Sequence, residues 1–111
     1  MIKTTFFVLT IYESVNKILE ISKQFSAIEA WTKDYIPYDA ALMNFIIIGE
    51  MAGKLRNEFK AQNAGIDWNK IQGFRNIVAH DYFGIDDKVV WQITQTKLPE
   101  LKEFLSKYLN L

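Results

Sequence analysis

Apolar residues in this chain recur at alternate steps of three and four from one end to the other, and that spacing restricts the fold more than anything else in the sequence. In the first segment Val8, Ile11, Val15, Ile18, Ser22 and Phe25 fall on one stripe, which predicts a helix from about Thr5 to Gln24. Ser26-Ala27-Ile28-Glu29 has the form of a capping box and predicts a short second helix ending near Lys33. Tyr38, Ala41, Phe45, Ile48, Ala52, Leu55 and Phe59 keep the same rhythm, which predicts a single long helix over 38–59 with Pro37 in its first turn. Gly49 and Gly53 lie one turn apart inside it, where glycine costs about 1 kcal/mol of helix propensity relative to alanine. Their expected use is to let another helix come close.

Asn63-Ala64-Gly65 interrupts the pattern, after which Asp67 caps a helix carrying Ile71, Phe74 and Val78 inward and ended by Gly84. Asp86 or Asp87 caps the next, bearing Val89, Val90, Trp91 and Ile93. Thr96 and Pro99 start the last, with Leu98, Leu101, Leu105 and Tyr108 facing the core. No alternating strand pattern and no internal repeat occurs. The expected fold is therefore all-α, an antiparallel bundle of about five to six helices in a single domain over residues 1–111.

Composition matters at three points. Aromatic residues make up 14% of the chain, more than one small core can cover, so some should lie on a face that a second chain buries. The net charge is zero, from 13 basic and 13 acidic residues, which removes the simplest electrostatic case for nucleic-acid binding but leaves room for a local basic cleft. There is no cysteine, so thiolate chemistry and disulfides are excluded. The apolar stretch Phe6-Phe7-Val8-Leu9-Thr10-Ile11 is too short to span a bilayer and lacks a cleavage site, so a soluble, cytoplasmic protein with no membrane partner is expected.

Chemistry concentrates in Arg75-Asn76-Ile77-Val78-Ala79-His80-Asp81-Tyr82. His80 is the only histidine. Asn76 precedes it by four positions and shares its helical face, whereas Arg75 lies about 140° round the helix. A side chain that titrates near neutrality, a fixed cation, a carboxamide and a phenol thus occupy one short stretch. Such a set suits metal-free cleavage of RNA. The 2′-OH must lose a proton and the 5′-oxygen must gain one, which histidine can arrange. The charge that develops on phosphate suits a guanidinium, and Asn76 can hold a phosphate oxygen or orient the imidazole. One histidine does not conveniently act as both acid and base, so a twofold homodimer that pairs two copies of His80 is expected.

Arg75-Asn76 followed by His80 resembles the Arg-x4-His motif of HEPN domains, and the continuation to Tyr82 resembles the Arg-x4-His-x-Tyr form of HepT-like toxins. Tyr38-Asp39-Ala40, Ile47-Ile48-Gly49-Glu50, Ile66-Asp67-Trp68, Tyr82-Phe83-Gly84-Ile85-Asp86, Val90-Trp91 and Leu98-Pro99-Glu100-Leu101 follow in the family's order. The resemblance spans roughly residues 5–110. It implies a HEPN-type bundle and a homodimeric, metal-independent endoribonuclease toxin acting on RNA, with a composite site between subunits and no cofactor. It also implies a cognate minimal nucleotidyltransferase antitoxin that transfers AMP to Tyr82. Arg75 and His80, with Asn76, would carry catalysis.

Plainer roles stand beside these. His80 could cap a helix, Arg75 could form a surface ion pair with Asp67, Asp81 or another helix, Asn76 could cross-link helices, and Tyr82 could pack at a helix end. Glu50, set in a strongly apolar helix, could orient a site residue, but the pairing with Lys54 one turn on is the favoured expectation, while Trp68 and Trp91 are expected to anchor the core or an interface. With one histidine, no cysteine and no carboxylate pair at ligand spacing, no dedicated metal site is expected. Without a glycine-rich phosphate loop the chain is not itself a nucleotidyltransferase. The competing class is a non-catalytic helical module that recruits a nucleotidyltransferase or its nucleotide.

Overall fold

The computed structural model describes residues 2–111, with side chains from Lys3 onward. Among the described residues seven α-helices follow one another: α1 Ile2–Ser22, α2 Ile28–Lys33, α3 Tyr35–Lys54, α4 Asn57–Gln62, α5 Trp68–His80, α6 Asp87–Gln95 and α7 Lys97–Leu109. A 3-10 turn, Tyr82–Gly84, joins α5 to α6, and no strand occurs among the described residues.

α1 and α3 form the central pair, and their stripes fill the core as the spacing requires. Val8, Ile11, Val15 and Ile18 meet Tyr38, Ala41, Phe45, Ile48 and Ala52, all buried. α7 lies on α1 through Leu98, Leu101 and Leu105, and α6 closes the end through Val90 and Thr94. At that end the fully buried Trp31 contacts Trp91 at 6.0 Å and the Tyr38 ring at 5.3 Å between centroids. These edge-on geometries add to plain area burial. Trp68 is likewise a core anchor, set between Phe59 at 5.9 Å and Phe104 at 6.3 Å.

α5 packs mainly on α3. Ile71 and Phe74 are half-buried because they line a cleft of about 380 Å³ that also touches Leu98 and Leu101 of α7. Gly49 explains how close α5 comes. A Cβ at that position would overlap the Cβ of Arg75 and lie 3.4 Å from its Cα, so only glycine fits. The expected approach glycine is therefore in place.

Four sequence expectations change. The helix expected over 38–59 is broken: Leu55 and Arg56 are extended, at φ −69°, ψ 143° and φ −68°, ψ 149°, and α4 begins afresh. Leu55 and Phe59 stay buried across the break, so the apolar rhythm continues where the backbone does not. The second helix starts at Ile28 behind Ala27, and Ser26 does not cap it. α5 stops at His80 rather than Gly84, with the Asp81 N–H bonded to Ile77 O at 2.8 Å. Tyr108 is partly exposed, although its ring meets Phe59 at 5.2 Å. The two aspartate caps hold: Asp67 accepts from the Lys70 N–H and Asp86 from the Lys88 N–H, each at 3.0 Å.

Candidate active site

The Arg75–Tyr82 segment forms the last half of α5 and the turn behind it, lying along α3. Two carboxylates from α3 hold its two ends. Near one end Glu50 forms an ion pair with Arg75 Nη2, and near the other Asp39 Oδ1 accepts a 2.5 Å hydrogen bond from the Tyr82 phenol. Position numbers rise along the segment as they fall along α3, so the two run antiparallel. Eleven residues of helix separate Asp39 from Glu50, roughly 16 Å at 1.5 Å per residue and within about 20° of one line.

Glu50 therefore pairs with Arg75 across the helix seam, not with Lys54 as expected from spacing. Arg75 Nη1 donates to Asn76 Oδ1 at 2.9 Å, while Nε–H is buried without a partner among the described residues. The guanidinium is thus held at both terminal nitrogens. The Arg75 side chain is 27% exposed and that of Glu50 44%, and a pair this wet contributes about 0–1 kcal/mol to stability. Its main effect is geometric.

Asn76 turns its carboxamide oxygen to the guanidinium, which directs its two N–H donors outward. The side chains of Asn76 and His80 are both exposed. The imidazole of His80 has no hydrogen-bond or ion-pair partner among the described residues. The structure thus joins Arg75 to Asn76, sets Tyr82 on Asp39 and leaves His80 facing outward at the helix end.

Two phenol–carboxylate contacts adjoin this surface. The hydrogen bond to Asp39 is the main cause that raises the Tyr82 phenol above its ordinary pKa, followed by desolvation and the charges of Asp39 and Asp87. Tyr38, buried on the adjacent α3 position, donates to Asp87 Oδ1. Burial first, and then that bond and charge, raise it strongly. Gly84 lies under the same turn, where a Cβ would fall 2.5 Å from the Asp81 carboxylate. The sequence does not mark Asp39 as a site group, and it offers Glu50 a part in orienting a site residue only beside the nearer pairing with Lys54. The approach glycine beside Glu50 was the available signal, since a close crossing brings neighbouring side chains into reach of the second helix.

No helix among the described residues is long and apolar enough to cross a membrane, and no group of three or more His, Asp or Glu side chains there has the arrangement to hold a metal ion.

Comparison with known proteins agrees with the motif. The family described as "Ribonuclease HepT-like" matches residues 11–108. "Putative RNase MJ1380" of Methanocaldococcus jannaschii is 33% identical over 97 residues, covering 87% of this chain and 88% of that protein. "Putative RNase TTE0752" of Caldanaerobacter subterraneus is 29% identical over 82 residues, 74% and 73% of the two chains. "Probable ribonuclease HepT" of Thermococcus cleftensis is 28% identical over 93 residues, 81% and 84% of the two chains. No solved structure matches the chain. The all-helical bundle, the Arg75–Tyr82 segment and these relatives agree: the chain belongs to the HepT-like ribonuclease family, HEPN-type endoribonucleases that act on RNA.

Proposed function

We propose that this ribonuclease is the toxin of a cytoplasmic toxin–antitoxin pair and that it cleaves RNA without a metal at a site completed by a second copy of the chain. The observation that carries the proposal is the fixed guanidinium of Arg75 beside an exposed, unpartnered His80. A single chain offers a phosphate clamp and one proton-transfer group. Two copies offer the second proton-transfer group that cleavage needs. One His80 takes the proton of the 2′-OH, whose oxygen attacks the adjacent phosphorus. The 5′-oxygen leaves with a proton from the second copy's imidazolium, giving a 2′,3′-cyclic phosphate and a 5′-OH. Arg75 stabilises the charge gathering on the phosphate oxygens, and the outward Asn76 N–H groups position it.

The surface around the motif supports a dimer. Ile36 and Met43 are exposed on the line of α3 that also carries Glu50, Ile77 is exposed on α5, and Phe83 is 99% exposed beside Tyr82. A second copy covering this apolar set would bring its own motif to the same place.

Tyr82 is the proposed point of control. Tyr82 is 43% exposed, so a minimal nucleotidyltransferase antitoxin can reach it. The phenol passes its proton to the Asp39 carboxylate that accepts its hydrogen bond, its oxygen attacks the α-phosphorus of ATP, pyrophosphate leaves and AMP remains attached. The added nucleotide would compete with RNA for the surface along the Arg75–Tyr82 segment. Growth after induction of the chain alone tests the toxin reading: wild type is expected to arrest cells while His80→Ala and Arg75→Ala do not. Equal toxicity of the alanine variants would refute it. Mass spectrometry after co-expression with the antitoxin is expected to find AMP on Tyr82, and an unmodified tyrosine in a silenced complex would reject that part alone.

A further inference from the structure

We infer that Glu50 is a positioning residue for RNA cleavage, holding the Arg75 guanidinium from α3 so that the same N–H groups always face the scissile phosphate. The inference rests on the reading of Arg75 as the phosphate clamp.

Three observations place Glu50 in this role. Gly49 lets the backbone of α5 press onto α3 at Arg75, which puts the next α3 side chain within reach of the guanidinium. Glu50 then takes Nη2 while Asn76 takes Nη1, and Nε–H stays buried and unpartnered. A guanidinium has five N–H donors. With one spent on each terminal nitrogen and Nε–H enclosed, one N–H on each terminal nitrogen remains for a ligand. An arginine left free would sample many rotamers, and a phosphate would meet the productive one only part of the time.

A carboxylate beside a phosphate-binding cation weakens attraction for RNA in the ground state. If Glu50 served binding alone, its presence would be a handicap. A group that lowers ground-state attraction while fixing transition-state geometry raises kcat at some cost in KM. That opposite movement separates positioning from mere support of the fold, which would change the amount of active protein and leave KM alone.

The test is steady-state cleavage of a short fluorogenic RNA by the full chain over a range of RNA concentrations, with a thermal melt of each variant. Glu50→Ala is expected to lower kcat roughly ten- to a hundredfold and to lower KM with it, whereas a lower kcat at unchanged KM would assign Glu50 to support of the fold. Glu50→Gln keeps the length and an acceptor oxygen, and is expected to recover part of kcat. Should Glu50→Ala melt early, Glu50→Gln decides the matter, with kcat still below wild type. Wild-type or higher kcat in a folded Glu50 variant, alongside an inactive Arg75→Ala, would overturn the inference and make Glu50 only a competitor for the guanidinium. Full activity in Arg75→Ala would instead remove the clamp reading beneath it.

Discussion

Tyr82 and Arg75 are each tied to α3 by one carboxylate, and neither tie was visible as a pair in the sequence. The motif letters are local, with Arg75, Asn76, His80 and Tyr82 inside eight residues, so spacing alone exposed them. Asp39 lies 43 positions from Tyr82 and became a partner only through the crossing of α5 on α3. Glu50 had a nearer candidate in Lys54 at i+4, worth only a few tenths of a kcal/mol on a helix surface. The arginine delivered across the seam at Gly49 displaced it. A direct consequence concerns the Tyr82 phenol, which the Asp39 bond holds above its ordinary value. Asp39→Asn removes the charge that opposes phenolate, so the Tyr82 pKa is expected to fall toward about 10. Ultraviolet titration of the tyrosinate band, with Tyr82→Phe subtracted, reads this. An unchanged curve would show that the bond does not persist in solution.

Among the helices, the apolar rhythm identified the stripes and missed an end. Residues named as inward on α1 and α3 are buried with few exceptions, because burial by a partner helix is what a three-four stripe encodes. The break after α3 left no such mark. Leu55 and Phe59 remain inward on both sides of it, and Arg56 offers no capping side chain to announce a new start. Ser26 illustrates the converse: it sits in a good capping pattern, yet Ala27 occupies the cap. The break is testable because the φ of Arg56 and the extended Leu55 before it both suit proline. Arg56→Pro is expected to leave stability unchanged or raise it by up to about 1 kcal/mol, measured by urea denaturation. In an unbroken helix the same change would cost about 3 kcal/mol or more. A loss of that size would show that α3 and α4 are continuous.

At the scale of the whole molecule, the bundle, the α3–α5 crossing and the exposed apolar set around the motif act together. The all-α class was legible because every segment had helical periodicity. The exposed face was legible only as an aromatic surplus, since composition cannot say which rings stay outside. Phe83, Tyr82 and Tyr35 do, whereas Trp31 and Trp68 do not. One global property follows from Tyr38, whose phenol is raised by burial and by Asp87. The folded state keeps this proton at pH values where the unfolded chain releases it. Its contribution is therefore constant below the ordinary phenol value of about 10 and is lost as pH rises above it. Thermal melts are expected to fall steeply on that alkaline side, and Tyr38→Phe should flatten the fall; an equal fall in the variant would contradict the assignment. The central claim, however, is chemical. It is tested most directly by incubating purified wild type and His80→Ala with RNA at matched concentration and melting temperature. Cleavage by wild type and a loss of at least about a hundredfold in the variant is the predicted result, and His80→Ala cutting RNA at the wild-type rate would contradict it.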